Sequence, residues 1–241
     1  MSEKAARRMQ IRIASAAIDG IVGRILETGM AGRPVPFAAL VAPLARHFAG
    51  ELDAHYAHSR DHLVIERIAA VRSRALADGQ VLAAEPKATA EAKAVLRLFA
   101  GSDEAFRCEL QQLVVPSERL GATANAGARP AASAHCRFSV GVDEHLTYAE
   151  ASGDFNPLHM DRDLCGRLSM PERIIHGTLL ATLAETIAEA GATGQMTVRF
   201  ASPCFVSEAL SATRHDRPGG GRRVIVHGAD SRIVCALDWR A

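Results

Sequence analysis

A chain of 241 residues with 48% hydrophobic and 23% charged side chains has room for one large domain or two ordinary ones, each with a sizeable core. Its formal net charge of +1 excludes the basic excess of a general nucleic-acid binder and the acidic bias of a disordered chain. Cys108, Cys136, Cys165, Cys204 and Cys235 are scattered, no run of about 18 apolar residues occurs, and the N-terminus lacks a secretory h-region, so a reduced, cytoplasmic protein without a membrane span is expected.

Residues 4–27 have helical periodicity, with Ile11, Ile18, Ile21, Val22 and Ile25 on one face. Gly29, Gly32, Pro34 and Pro36 close that element. A second helix is expected from Phe37 to about Tyr56, on Leu40, Val41, Leu44, Phe48 and Leu52. The segments HLVIERIAAVRSRAL, GQVLAAEPKAT, KAVLRLFAG and AFRCELQQLVV then read as strands, with turns at Asp78-Gly79 and Gly101-Ser102-Asp103. Residues 117–134 are small and polar, without a period, and read as a linker.

The second half opens at Cys136 with a strand or entry segment, and loops follow to Arg173. A helix is expected from about His176 to Ala190. Leu179, Leu180, Leu183, Ala184 and Ile187 form its apolar stripe, and Thr178, Thr182, Glu185 and Glu189 lie on the other side. MTVRFASPCF, SEALSATRHD, RRVIVHG and SRIVCALDWR complete the chain as strands. The halves repeat in pattern. ERIAAVRSRALADGQVLAAE sets beside TVRFASPCFVSEALSATR, and VLRLFAGSDEAFRCELQQL beside VIVHGADSRIVCALDWR, with Cys108 matching Cys235. The expected organisation is an α+β fold in two halves, 1–116 and 135–241, joined by the linker, each sheet covering a helix.

The stretch with chemistry is Tyr148-Ala-Glu-Ala-Ser-Gly-Asp-Phe-Asn-Pro-Leu-His159. Gly153 and Pro157 bracket a sharp loop, and Asp154 and His159 are five apart across it. A bent loop brings a carboxylate and an imidazole together, and such a pair can activate a water. Asn156 can fix the loop or the water. A purely structural reading stands beside this one: Asp154 and Asn156 are good Asx-turn residues, and His159 suits a satisfied core position. His176-Gly177 opens the later helix, whose first amides lack internal partners and favour negative charge. Gly177 leaves its N–H open to an oxyanion, or else serves close helix–sheet packing. Neither H-E-x-x-H nor a cysteine cluster is present, so no metal is expected.

SGDFNPLHMD followed by IIHGTLL resembles the MaoC-like, or R-specific enoyl-CoA hydratase, family of hot-dog proteins. The resemblance is strongest over residues 148–210 and extends as a pattern to the C-terminus. It implies a long helix wrapped by a curved antiparallel sheet, here as a double hot dog in one chain. The first half would be a degenerate, non-catalytic partner, since it has no G-D-x-N-P-x-H. The resemblance further implies a hydro-lyase that interconverts a trans-2-enoyl and an R-3-hydroxyacyl thioester. Asp154 and His159 would be catalytic, with Gly177, Asn156, Ser152 and His176 in oxyanion or substrate-binding roles. No cofactor is implied; the substrate rides on coenzyme A or on the phosphopantetheine of an acyl-carrier protein, and the protein is a monomer or homodimer. Glu185 departs from the family's small polar residue and would modulate the site's proton balance if buried beside it. Two other readings remain within the resemblance: a dehydratase or cyclase for a carrier-bound polyketide-type intermediate, and a non-catalytic acyl-thioester-binding subunit.

Overall fold

The structure is a computed structural model that describes residues 9–42, 61–89, 93–116 and 136–241. The expected linker, 117–134, and most of the helix expected after Phe37 lie outside the described residues.

In the first half, β1 (Met9–Arg12) precedes α1 (Ala16–Ile25). Residues 37–42 are helical, and four strands follow: β2 (Asp61–Arg72), β3 (Val81–Thr89), β4 (Lys93–Ala100) and β5 (Asp103–Pro116). In the second half, β6 (Cys136–Phe138) leads into helices α2 (Val142–Ser152), α3 (Pro157–Met160), α4 (Arg162–Arg167) and α5 (Gly177–Ile187). Strands β7 (Gly194–Phe200), β8 (Leu210–Asp216), β9 (Arg222–His227) and β10 (Ile233–Arg240) complete it.

These strands form one antiparallel sheet in the order β1-β3-β4-β5-β2-β7-β10-β9-β8-β6. Each half contributes five strands, and the order in one half is the order in the other: β1, β3, β4, β5 and β2 correspond to β6, β8, β9, β10 and β7. The halves meet where β2 pairs with β7, from Arg67 opposite Arg199 to Arg72 opposite Gly194. This is an α+β double hot dog, and the correspondence includes the β5–β10 match that aligned Cys108 with Cys235. Both thiols are fully buried, all five cysteines are free, and burial pushes the Cys235 thiol up to about 12.

One apolar core runs through both halves. It joins Ile18, Phe37, Leu40, Ile68 and Phe106 of the first to Leu179, Leu183, Val198 and Val226 of the second. Fully burying one such aliphatic or aromatic side chain is worth about 1.5–3 kcal/mol. Helix α5 lies at the centre, with every residue from Leu179 to Ile187 buried. The expected polar side of this helix is therefore buried at Thr182 and Glu185, while Glu189, past its end, stays exposed. Thr182 accepts the Ala38 N–H at 2.9 Å, and Glu185 accepts the Phe37 N–H at 2.9 Å while pairing with the buried Arg72. The first half covers that face, a partner that the helix's own periodicity does not reveal.

Two further differences from the sequence reading have physical causes. Residues 9–12 form a strand rather than the first turns of a helix, because Met9–Arg12 pair with Val81–Ala84 at the sheet edge. Ile13 then enters the core and Ser15 is held by Asp78. The entry segment after β6 is the helix α2, ended by Gly153 at φ +72°, a conformation glycine adopts without strain. Its buried residues, His145, Tyr148, Ala149 and Ser152, follow helical spacing, but polar His and Ser mask the stripe. Among the described residues no helix is long and apolar enough to cross a membrane.

Candidate active site

Between α2 and α5 the chain makes two tight reversals, and side chains stitch each of them. The Asp154 N–H donates to Ser152 Oγ at 3.3 Å, and the Asn156 N–H donates to Asp154 Oδ1 at 3.3 Å. Asn156 caps α3 by accepting the Leu158 N–H at 3.0 Å, with Pro157 pre-set for the first helical position. Asp161 caps α4 in the same way, accepting from the Leu164 N–H at 2.8 Å. A small apolar cluster of Leu158, Cys165, Met170 and Phe205, with Val64 and Val115 of the first half against it, holds the loop down.

The result is that Asp154 and His159 converge, with Oδ2 4.0 Å from Nε2. Their side chains are 22% and 13% exposed, so both are sheltered yet reachable. His159 Nδ1 lies 2.8 Å from the Ile174 carbonyl oxygen, an acceptor, so this nitrogen carries the proton. In the neutral ring Nε2 is then the free base, and it faces the carboxylate.

Two more histidines stand behind this pair. The His176 ring stacks on His159 with centroids 3.9 Å apart and a 30° tilt, and the His145 ring lies 4.7 Å beyond. His176 donates from Nε2 to the Asp154 carbonyl oxygen at 3.0 Å, and His145 donates from Nε2 to the His159 carbonyl oxygen at 2.7 Å. Their Nδ1 atoms are buried without a partner. Burial holds His145 down to about 4 and His176 well below the ordinary imidazole range, so both stay neutral near pH 7. Tyr148 packs on His176 at 4.9 Å and hydrogen bonds Thr178 at 2.7 Å.

Asp154, Asn156 and His159 line a cavity of about 290 Å³, and so does Gly177. The first N–H groups of α5 have no acceptor inside the helix. A Cβ at residue 177 would sit in ordinary van der Waals contact with Phe200 Cζ and Ile65 Cδ1 at 3.5 Å, and glycine leaves that space beside the helix start empty. The first half supplies part of the wall, through Val64, Ile65 and Glu66 of β2 and Gln112, Leu113 and Val115 of β5.

Not every expected site residue reaches this cavity. His176 is fully buried and touches the pair through its ring and the Asp154 backbone; it does not line the cavity. Ser152 is 2% exposed and holds the Asp154 amide. Glu185 lies eight residues along α5 from Gly177, about 12 Å at the helical rise, and is paired with Arg72. Burial pushes its carboxyl up against the pull of Arg72, but it lies away from Asp154 and His159. His145 is a supporting residue that the motif does not include, and Tyr148, which opens the motif stretch, supports it from the same helix; their spacing on α2 was the available signal.

Folding also brings together a group that linear spacing does not show. Donor atoms of Asp154, His159 and His176 all lie within 4.8 Å of one another, a metal-sized cluster. The fit to an ion is poor, because His176 Nε2 is engaged by the Asp154 carbonyl and its ring sits outside the cavity wall. Two groups therefore face a ligand, where a catalytic zinc site uses three protein ligands.

Residues 122–223 match the family described as MaoC like domain. That match spans less than half of the chain and falls mainly on its second half. The family so described includes hydratases and dehydratases. No curated protein matches the chain in sequence. The whole structure is similar to HtdX from Mycobacterium tuberculosis, with a TM-score of 0.72 and 15% identity over 96% of this chain and 98% of that one. It is similar to a MaoC-like dehydratase from Phytophthora capsici, with a TM-score of 0.58 and 16% identity over 74% of this chain and 68% of that one. An acyl-ACP thioesterase from Bacteroides thetaiotaomicron shares the fold as well, with a TM-score of 0.58 and 10% identity over 100% of this chain and 99% of that one. The first and third of these likenesses extend the hot-dog fold across nearly the full chain, including the residues before the family match.

Proposed function

We propose that the protein is a hydro-lyase that interconverts a trans-2-enoyl thioester and an R-3-hydroxyacyl thioester. The observation that carries this reading is the convergence of Asp154 and His159 on one cavity with the start of α5. A water held between Asp154 Oδ2 and His159 Nε2 loses a proton to the pair as its oxygen bonds to C3. The C2–C3 electron pair moves toward the carbonyl, and the Gly177 N–H binds the oxygen on which negative charge grows. The proton taken from water returns to C2. Dehydration runs the same steps backwards.

The surrounding residues play separate parts in this scheme. Asn156 and Ser152 hold the loop, and His176 ties the base to the Asp154 backbone without touching substrate. The second half, 135–241, is the catalytic unit. The first half, 1–116, contributes cavity wall and no acid–base pair. Coenzyme A or a carrier-protein phosphopantetheine presents the acyl group, and no cofactor takes part.

Crotonyl-CoA tests the reaction class. Hydration removes the ultraviolet absorbance of the conjugated thioester without releasing thiol. Thiol release at the same rate would instead make the protein a thioesterase, the other activity named among its structural likenesses.

A further inference from the structure

The first-half wall of the cavity carries two polar side chains, Glu66 and Gln112. Their placement follows from the strands. The β2–β5 register runs from Ile65 opposite Gln112 to Arg67 opposite Gln111, so Glu66 is the extra residue of a β-bulge. Bulges re-aim side chains and are frequent beside active sites. Glu66 is half-buried, while its neighbour Arg67 is exposed. Ile65, the residue before it, approaches the Gly177 Cα face, so the bulge sits next to the point where the thioester oxygen would bind. Among the described residues neither the Glu66 nor the Gln112 side chain has a hydrogen bond or ion pair. The rest of that wall is Val64, Ile65, Leu113 and Val115. A carboxylate and an amide on an otherwise apolar wall lose solvation when an acyl chain enters, unless the chain brings donors to them.

We propose that the acyl group taken by this site bears a hydrogen-bond-donating substituent, a hydroxyl or an amine, recognised by Glu66 with Gln112. This rests on the hydro-lyase reading for the reaction, but the recognition itself is a property of the cavity. A plain alkyl chain would leave Glu66 desolvated and unpaired. A hydroxyl would donate to the carboxylate and accept from the Gln112 amide, and an ammonium would pair with the carboxylate alone.

Three thioesters test it: trans-2-hexenoyl-CoA and its 6-hydroxy and 6-amino derivatives, compared as kcat/KM in wild type, Glu66→Leu, Glu66→Gln and Gln112→Leu. Wild type is expected to favour one substituted chain over the plain chain by about tenfold or more. Glu66→Leu is expected to reverse that order, with folding checked by circular dichroism. Glu66→Gln keeps a hydroxyl preference and abolishes an ammonium preference, which separates the two donors. An equal preference in wild type and Glu66→Leu, a plain chain favoured by wild type, or an equal loss on all three chains would overturn the proposal. Calorimetric binding of the saturated hexyl-CoA thioether and its 6-hydroxy and 6-amino forms reads the same ratios without chemistry. If no enoyl thioester turns over yet the thioethers show the preference and its reversal, the hydro-lyase reading fails and the recognition stands.

Discussion

Phe37 and Gly177 begin helices at corresponding places in the two halves, each ahead of the strand that joins the halves, β2 or β7. The chain around them is similar, Arg33-Pro-Val-Pro-Phe-Ala-Ala-Leu40 beside Arg173-Ile-Ile-His-Gly-Thr-Leu-Leu180. At residue 177 no side chain intervenes and the helix start lies on the cavity. At residue 37 the ring is fully buried, and the N–H donates to the Glu185 carboxylate, with Thr182 taking the next amide. One helix start is closed by an internal anion, and the other has room for an external one. The comparison teaches that the same position in the hot dog serves stability or chemistry according to one side chain and one carboxylate. It also explains Glu185, which caps the first half's helix rather than modulating the acid–base pair.

The sharpest way to break that comparison is to remove the chemistry of the open side. Asp154→Asn and His159→Ala are each expected to lower kcat by about 10²–10⁴-fold with the fold retained, measured by loss of enoyl-thioester absorbance. Gly177→Ala places a methyl in ordinary contact with Phe200 and Ile65, without shifting the helix, and is expected to lower kcat by about tenfold or more by occupying space beside the Gly177 N–H.

Changes on the closed side should move stability and leave chemistry. Phe37→Ala opens a cavity in the core and is expected to cost about 3–5 kcal/mol in denaturant unfolding, without creating activity in an Asp154→Asn background. Glu185→Gln strands the Arg72 charge in the interior and is expected to cost about 3–5 kcal/mol, with a far smaller loss from the paired change Arg72→Met with Glu185→Leu.

The histidine stack predicts a pH dependence. His145 and His176 are held below their unfolded values, so below about pH 6.5 the unfolded chain takes up protons that the native one refuses. Stability therefore falls as pH drops from about 6.5 toward 4. Between pH 6.5 and 5 His145 alone accounts for about 2 kcal/mol, and His145→Gln should flatten the slope of the melting temperature against pH. The smallest effect expected is that of chelation: EDTA should leave turnover unchanged, whereas a loss restored by added zinc would place an ion on Asp154, His159 and His176.

Much of this architecture can be read from local patterns, and the exceptions share a cause. Alternating strands and their turns gave β2 to β5 and β7 to β10, and weak self-similarity anticipated a sheet order that repeats. The motif drew attention to Asp154 and His159, which meet because Gly153, Asn156 and Pro157 bend the chain between them. What one sequence segment cannot show is which surface another segment will cover. Thr182 and Glu185 look like a solvated helix face until the first half supplies the amides and guanidinium that satisfy them. His176 looks like a substrate ligand until α2 encloses it with Tyr148 and His145. Likewise the pairing that makes residues 9–12 a strand comes from Val81–Ala84, some seventy residues away.

If one acid–base pair, in the second half, does the chemistry of the whole double hot dog, the most direct measurement is turnover of crotonyl-CoA and of a longer trans-2-enoyl-CoA. Wild type, Asp154→Asn and His159→Ala would be compared, with the product's configuration assigned by chiral chromatography. The expected result is R-3-hydroxyacyl-CoA from wild type and loss of at least about a hundredfold in either variant, with native melting behaviour. Wild-type rates in both variants, or an S product, would contradict it.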